Sequence, residues 1–341
     1  MIKYPLPLKK GDTIGICAPS SGVKGVFLNK LDYAIKNLNS LGYECIETNS
    51  VRQNNKAVST SAKARYEEFM SLYKNPKVKA VIPPWGGEFL MNILPYIDFK
   101  ALKKLPTKWI LGFSDTSTLL FTLTTNLNMA TAHGPNCLDF GFESVDSSVL
   151  KVLEILILEK GRSFKQTNLE KFQKEWPEVK EDVFPSYNLT EKVIWKSLDN
   201  KSHEFRGRLI GGCMDVICKI IGTPYDDVKN YIGQFKEEGM IWYLESCEMN
   251  AGDIYRTLWQ MKENGWFINA SGFLYGRLEG YTDTQDFTYI DAFHKTLGDL
   301  NVPVIYDVDL GHKPPQLTFI NGAYAEVKYF GGKGEINQIM K

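Results

Sequence analysis

A serine lies where an apolar, strand-like run meets a helix-like pattern, a position in which its hydroxyl could act as a nucleophile. The apolar run at 108–111 ends at Gly112, Ser114 follows, and the helical pattern continues to Leu120. A strand, turn and helix in this order expose a serine hydroxyl at the end of a sheet, beside backbone N–H groups at the helix N-terminus. Such N–H groups stabilise the oxyanion of acyl transfer. Ser114 is therefore a candidate nucleophile.

The same segment also fits a plain loop in which Ser114 only caps the following helix. Thr116 stands where a Gly-x-Ser-x-Gly elbow has its second glycine. Asp115 and Thr116 suit the first helical turn, where side-chain oxygens accept free N–H groups. Taken alone, the segment favours capping, so the nucleophile hypothesis depends on the rest of the chain.

A serine nucleophile needs a base, most often a histidine oriented by a carboxylate. Of the four histidines, His203 lies in a polar run and His294 in an amphipathic helix, so both are interpreted as surface or packing residues. His133 ends a strand, and His312 lies in a loop bounded by glycine and proline. The residues alone leave His133 and His312 as alternative bases.

Two acids are candidates for the partner of that base. Glu245 ends a strongly apolar strand, where a carboxylate is costly unless it is paired or borders a pocket. The alternative is a strand end that simply reaches solvent. Glu248, three residues further on, is the second candidate acid.

The N-terminal half alternates predicted strands and helices, with strands at 13–18, 43–47, 78–82, 108–112 and 129–132. This alternation predicts a parallel sheet covered on both faces. Sites in such sheets form at the carboxyl ends of the strands. The residues that follow strands in this way are Ser20, Gly86, Gly87, Ser114 and His133.

A stretch at about 161–200, rich in lysine, glutamate and aromatics, breaks this alternation. We predict domains at 1–165 and 201–341, joined by a linker at 166–200. The second half mixes predicted strands, at 206–210, 241–245, 272–278, 302–306, 317–320 and 325–329, with helices at 253–262 and 289–297. Gly211 and Gly212 are predicted to open a further helix that runs to Ile221.

Composition excludes several classes of protein. The 341 residues include 40 basic and 40 acidic side chains, so no charge excess favours a nucleic-acid or membrane partner. No stretch approaches the ~20 apolar residues of a membrane span, and the N-terminus lacks the apolar region of a signal peptide. The six scattered cysteines are read as buried thiols rather than disulfides or a metal cluster. These features predict a cytoplasmic protein without a metal site.

Three segments resemble, in order, the signatures of the LD-carboxypeptidase family of serine peptidases: 112–117, Leu244-Glu245 and Gly311-His312. The resemblance extends to Ala18-Pro19-Ser20, Trp85-Gly86-Gly87, His133-Gly134-Pro135 and Gly211-Gly212, and covers residues 7–327. Each motif is weak by itself, but the ordered set is specific. One departure is Gly212-Cys213-Met214, where a polar residue such as asparagine commonly follows the glycines.

The resemblance implies a catalytic triad: Ser114 as nucleophile, His312 as general base and then acid, and Glu245 orienting His312. It also implies an oxyanion hole formed by the backbone N–H groups of Gly87 and Asp115. The fold it implies is α/β: a Rossmann-like N-terminal domain with a parallel sheet, and a smaller β-rich α/β C-terminal domain. The site would lie between them. Homodimers without metal or cofactor are implied as well.

The family has two branches with different substrates, so the resemblance implies either a small peptide or an aminoacyl-nucleotide as the substrate of this chain. One branch resembles the microcin C immunity peptidase and cleaves the amide between an acidic amino acid and a nucleotide-like group. This chain resembles that branch more. The other branch removes terminal D-alanine from murein tetrapeptides. The candidate substrate contacts are Ser20, Trp85, Gly86, His133, Trp176 and Glu248. Trp176 or Phe184 could stack on a purine, or these aromatics could pack a domain seam.

A hypothesis from another class is a non-catalytic protein that binds a ligand in the cleft between its domains. A nucleotide-binding Rossmann enzyme is disfavoured, because neither Gly-x-Gly-x-x-Gly nor a P-loop follows the early strands.

Overall fold

The computed structural model describes residues 1–176 and 184–341, which form two large sheets and one two-stranded sheet, with helices packed between and around them. The strands are β1 Thr13–Ile16, β2 Glu44–Glu47, β3 Val78–Val81, β4 Trp109–Gly112, β5 Thr131–His133, β6 Ser163–Thr167, β7 Lys171–Phe172, β8 Glu191–Lys192, β9 Lys196–Ser197, β10 His203–Cys213, β11 Met240–Glu245, β12 Ala270–Gly276, β13 Val304–Val308, β14 Phe319–Asn321, β15 Tyr324–Phe330 and β16 Lys333–Ile339.

The α-helices are α1 Phe27–Ser40, α2 Ala62–Lys74, α3 Phe99–Leu102, α4 Ser117–Leu127, α5 Ser147–Leu156, α6 Met214–Ile217, α7 Val228–Gln234, α8 Ala251–Glu263 and α9 Tyr289–Leu297. Short 3-10 helices lie at Leu90–Tyr96, Ser114–Thr116, Cys137–Phe140, Cys218–Ile220 and Gly298–Leu300. Side chains cap the N-termini of several α-helices. Before α8, the Asn250 side chain accepts a hydrogen bond from the Asp253 N–H at 2.9 Å, and before α9, Thr288 forms a capping box with Asp291.

The first sheet has the strand order β14-β5-β4-β3-β1-β2, in which β1 to β5 pair in parallel. Order 2-1-3-4-5 is a doubly wound arrangement. The carboxyl ends of these strands therefore lie on one edge, as predicted, and the segments that follow β1, β3 and β4 meet there.

The second sheet has the order β6-β16-β15-β10-β11-β12-β13-β9. Its central strands β10 to β13 run parallel, and antiparallel strands complete both edges. This sheet, expected in the smaller domain, has eight strands against six in the first. The α/β class with parallel strands in both domains is confirmed.

Helix α4 connects the two sheets. It packs on β5 of the first sheet and on β10 of the second, and nearly every residue of it is buried. The hydroxyl groups of Thr122 and Thr125 donate to carbonyl oxygens one turn earlier, so these polar residues can be buried. Since α4 begins directly after the turn at Ser114, its packing fixes that serine between the two sheets.

Three sequence expectations differ from the structure. Gly211 and Gly212 lie within β10 rather than opening a helix. At Gly211 the chain packs so closely on β11 that a Cβ would lie 1.7 Å from the Tyr243 backbone oxygen, so glycine is needed there for strand packing. Strand β14 pairs with β5, so a C-terminal segment completes the first sheet. Strands β6 and β9 pair into the second sheet, although β6 crosses the predicted boundary at residue 165 and β9 falls in the predicted linker. The domain division at 166–200 stays a prediction.

No helix in residues 1–176 or 184–341 combines the length and the hydropathy needed to span a bilayer.

Candidate active site

Ser114 occupies a sharp turn directly after β4. Its φ is +61°, a left-handed conformation that costs a non-glycine residue ~1 kcal/mol. Strain of this kind persists only where the surroundings impose it, and it is typical of nucleophile elbows. Neither the 3-10 turn nor α4 has a side-chain cap, so the Ser114 hydroxyl does not serve as one.

The Gly86-Gly87 loop lies directly against Ser114. A Cβ built on Gly86 would be 2.5 Å from Ser114 Oγ and 3.1 Å from the Asp115 backbone nitrogen. Only a glycine at 86 leaves the hydroxyl free. The close approach places the backbone of this loop beside Ser114 and the Asp115 nitrogen. An oxyanion hole formed by the N–H groups of Gly87 and Asp115 stays a prediction.

Asp115 anchors the loops around the serine. Its carboxylate accepts a 2.5 Å hydrogen bond from Ser20 Oγ and a 2.8 Å bond from the Leu90 N–H. Burial raises the pKa of Asp115 to about 6. The expected helix-capping role is therefore wrong for Asp115. Ser20 is 1% exposed and bonded to Asp115, so it holds the loop after β1 against the site, and its contact with substrate stays a prediction.

The second sheet supplies an imidazole–carboxylate pair. Glu245 ends β11 and is fully buried, and His312 lies in the loop after β13. His312 Nδ1 lies 2.9 Å from Glu245 Oε2. A carboxylate on one ring nitrogen fixes the tautomer and leaves the other nitrogen to exchange protons.

Each member of this pair changes the pKa of the other. Burial disfavours the imidazolium, but the Glu245 carboxylate and a contact with the Cys247 side chain raise the pKa of His312 well above its ordinary value. Burial acts to raise the pKa of Glu245 too, yet His312 holds it below its usual range. The pair thus favours the charged imidazolium–carboxylate form.

Phe113 precedes the candidate nucleophile in the chain and contacts the candidate base. Its ring packs edge-on against His312, with centroids 5.0 Å apart, and Ser114 is the next residue. Ser114 and His312 line the same chamber, although no hydrogen bond joins their side chains in the described part of the chain. Catalytic hydrogen bonds are often long before substrate binds, so this spacing is compatible with a triad.

His133, the alternative base and a candidate substrate contact, is fully buried. Its Nδ1 lies 3.5 Å from Ser117 Oγ, and its ring packs edge-on against Tyr243. Burial lowers its pKa to about 4, so the ring is neutral at pH 7. His133 borders neither of the two chambers described below, and its contact with substrate stays a prediction.

Asp215 is a supporting residue that sequence reasoning missed. It follows β10, and its carboxylate accepts the backbone N–H groups of Cys247 and Glu248, each at 3.1 Å. These bonds tie the loop after Glu245 to the end of the neighbouring strand. The neighbouring Gly212-Cys213-Met214 segment departs from the family pattern, but nothing in the sequence indicates which loop Asp215 holds.

Two chambers open on Ser114. The first, which we call the tryptophan chamber, has a volume of about 460 Å³. The residues that line it include Trp85, Gly86, Phe113, Asn136, His312 and Lys24. The second, the carboxylate chamber, has a volume of about 400 Å³ and is lined by residues that include Asp215, Lys219, Glu248 and Asp253. Ser114, Gly87 and Glu88 line both. A substrate can therefore extend in two directions from the serine.

The aromatic candidates lie apart from both chambers. Trp176 is 49% exposed and packs edge-on against Tyr187, with centroids 6.4 Å apart. Phe184 is 4% exposed and packs on Tyr33 of α1, so it belongs to a seam and is not free to stack on a base. Trp85, Gly86 and Glu248 are the predicted contacts that do line a chamber.

Two family models match separate parts of this chain. Residues 14–134 match the LD-carboxypeptidase N-terminal domain, and residues 206–327 match the LD-carboxypeptidase C-terminal domain. The chain is 28% identical over 271 residues to the probable murein peptide carboxypeptidase of Bacillus subtilis, covering 79% of this chain and 73% of that protein.

The chain is also 25% identical over 334 residues to the microcin C7 self-immunity protein MccF of Escherichia coli, covering 95% of this chain and 92% of that protein. A structure of MccF in complex with glutamyl sulfamoyl guanosine superposes with a TM-score of 0.83, at 22% identity and 97% coverage of both chains. At this identity the structural likeness shows the fold. The two family matches span most of the chain, which therefore belongs to the LD-carboxypeptidase family and is a peptidase.

Proposed function

We propose that this peptidase is a serine hydrolase in which Ser114, His312 and Glu245 form the catalytic triad. The observation that carries the proposal is the pairing of His312 with Glu245 at one end of the second sheet, in the chamber that Ser114 lines from the first sheet. The strained backbone at Ser114 and the close approach of Gly86 support it.

In the proposed reaction, Ser114 Oγ attacks the carbonyl carbon of an amide while His312 accepts its proton. The oxyanion that forms is held by the N–H groups of Gly87 and Asp115. His312 then donates its proton to the leaving nitrogen, and the C–N bond breaks to give an amine and an acyl-Ser114 ester. A water molecule, deprotonated by His312, attacks that ester and releases the acid and free Ser114.

The position of His312 supports one direction for the substrate. Because the imidazole must protonate the leaving nitrogen, the leaving group occupies the tryptophan chamber that His312 lines. Lys24 is the one cationic side chain other than His312 among the residues that line it, and Trp85 and Phe113 supply aromatic surface. The one carboxylate of this lining, Glu88, lies where the two chambers meet. An anionic leaving group, either a C-terminal amino acid or a sulfamoyl nucleotide, fits that lining.

The two branches are separated by one assay. Purified wild type and Ser114→Ala are offered a murein tetrapeptide and an aspartyl sulfamoyl adenosine side by side, and products are followed by mass spectrometry. Loss of alanine indicates the murein branch, and release of the acidic residue indicates the immunity branch. Ser114→Ala should lose at least ~10³-fold in rate on any accepted substrate, and wild-type turnover in that variant would refute the proposal.

The homodimer and the cytoplasmic location stay predictions from the resemblance and the composition. Light scattering on a size-exclusion column measures the oligomeric state directly.

A further inference from the structure

Three neighbouring parallel strands of the second sheet carry a buried charged residue at their carboxyl ends. Glu245 is the last residue of β11, Arg277 follows β12, and Asp309 follows β13. Their exposed fractions are 0%, 4% and 0%. Buried charges are costly unless they are paired. Glu245 has His312 as its partner, and the other two charges pair with each other at 2.6 Å, at the start of the loop that carries His312.

This loop, residues 309–317, contains no helix and no strand. A 2.8 Å hydrogen bond from the Leu317 N–H to the Asp309 carbonyl oxygen joins its two ends. His312 lies near the middle of the loop, so the position of its imidazole depends on the contacts that hold the loop in shape. Backbone groups outside regular structure take their hydrogen bonds from side chains or neighbouring segments.

The guanidinium of Arg277 supplies such contacts on both sides of His312. Before the histidine, Arg277 Nη1 donates to Asp309 Oδ1 at 2.6 Å. After it, Arg277 Nη2 donates to the carbonyl oxygens of Lys313 at 3.0 Å and Pro315 at 2.9 Å. A guanidinium is planar and rigid, and its several donors point in fixed directions. One side chain outside the loop therefore fixes the loop on either side of the candidate base.

The two charged groups are themselves held by residues outside the loop. Asp309 Oδ2 accepts hydrogen bonds from Trp195 Nε1 at 2.9 Å and from the Leu169 N–H at 3.0 Å. The ring of Phe172 covers the guanidinium of Arg277, with Cζ 4.7 Å from the ring centroid. The arginine and the aspartate are thus a fixed support for the loop rather than a part that moves with it.

We propose that Arg277 is a positioning residue for catalysis, which holds the 309–317 loop so that the His312 imidazole stays against Glu245 in the chamber that Ser114 lines. The inference rests on the proposed function, in which His312 is the base. Arg277 itself lines neither chamber at the serine, so it acts through His312. Because a displacement of about 1 Å in a catalytic group costs ~10²-fold in rate, loosening this loop should slow the reaction.

The test compares two buried arginines of the same sheet. Arg277→Lys keeps the charge and removes the planar fork, and Arg208→Lys is the matched control. Arg208 is 3% exposed and bonds to Glu238 and to the Gly322 carbonyl oxygen. It lies beside the first residue of β11, at the edge opposite the active site. The rate at which a fluorophosphonate labels Ser114 is measured for the full chain, with kcat and KM on whichever substrate is accepted.

Arg277→Lys should lower the labelling rate and kcat at least ~10-fold and leave KM within about twofold, because the loop acts on the base rather than on substrate binding. Arg208→Lys should keep all three within about twofold. Urea unfolding confirms that both variants are folded. Equal labelling rates in the two variants, or a change confined to KM, would overturn the inference.

Arg277→Ala adds a chemical rescue. Arg277 lines a surface cavity of about 540 Å³ together with Lys313, so a small cation can enter the space that the side chain leaves. Guanidinium at a non-denaturing concentration should raise the labelling rate at least ~5-fold, and methylammonium, which lacks the planar fork, should not. Equal rescue by the two cations, or none by either, would contradict the role of the guanidinium. If Arg277→Ala does not fold, the lysine variant decides.

The two proposals fail differently, because His312→Ala is labelled beside these variants. If His312→Ala reacts at the wild-type rate, the triad fails and Arg277 has no base to position. If His312→Ala is slow while Arg277→Lys reacts as fast as wild type, the inference alone fails.

Discussion

His312 Nδ1 and Glu245 Oε2 lie 2.9 Å apart, although 67 positions separate these residues along the chain. They come together because β11 and β13 run parallel on either side of β12, so the segments after both strands leave the same edge of the sheet. The pair fixes both the direction and the protonation of the imidazole. It therefore makes a prediction about pH.

Glu245→Gln should shift the pH dependence of activity toward acid. His312 must be neutral to accept the Ser114 proton, and Glu245 raises the pKa of His312 well above its ordinary value. The rising limb of kcat/KM, which reports the free enzyme, should therefore lie above pH ~6.5 in the wild type. Without the carboxylate it should move to lower pH, with a loss of at least ~10²-fold in rate. A limb at the same pH in both proteins would exclude His312 as the base.

Gly86→Ala should abolish activity while the fold is kept. The added Cβ would lie 2.5 Å from Ser114 Oγ, so either the hydroxyl or the loop must move. Since a displacement of about 1 Å in a catalytic group is enough, the expected loss is at least ~10²-fold in kcat/KM. Gly233→Ala is the matched control, because that glycine lies in α7 with nothing within 4 Å of the new Cβ. Equal activity of the two variants would show that the loop does not contact the nucleophile.

Asp115→Asn should change how stability depends on pH. Burial raises the pKa of the Asp115 carboxyl to about 6 in the folded protein, above the ~3.9 of an unfolded aspartate. A raised pKa stabilises the folded state below pH ~4 and loses that contribution as pH rises through about 6. Wild type should therefore lose ~3 kcal/mol relative to the variant between those limits. Urea unfolding at several pH values measures the difference, and parallel curves would contradict it.

The sequence was sufficient for the parts of the site that depend on local pattern. The strand–turn–serine junction, the acid that ends an apolar strand and the loop histidine are each visible in a few residues. The family resemblance was needed to group these three residues into one catalytic triad. The length of α9, Tyr289–Leu297, also follows from apolar spacing alone.

The remainder depends on contacts between distant segments. Nothing in the sequence near Gly211 indicates that Tyr243 will lie against it, so the local pattern predicts a helix start at Gly211 and Gly212. The burial of His133 follows from residues packed over β5, including Tyr243 of the other sheet. The hydrogen bonds of Asp215 to the loop after β11 and the pairing of β14 with β5 are also set by tertiary packing.

Covalent labelling tests the triad most directly. A fluorophosphonate is added to wild type, Ser114→Ala and His312→Ala, and the modified residue is identified by mass spectrometry of digested protein. The account predicts that one molecule attaches at Ser114, that Ser114→Ala is unmodified, and that His312→Ala reacts at least ~10²-fold more slowly. Labelling at another residue, or an undiminished rate in His312→Ala, would contradict it.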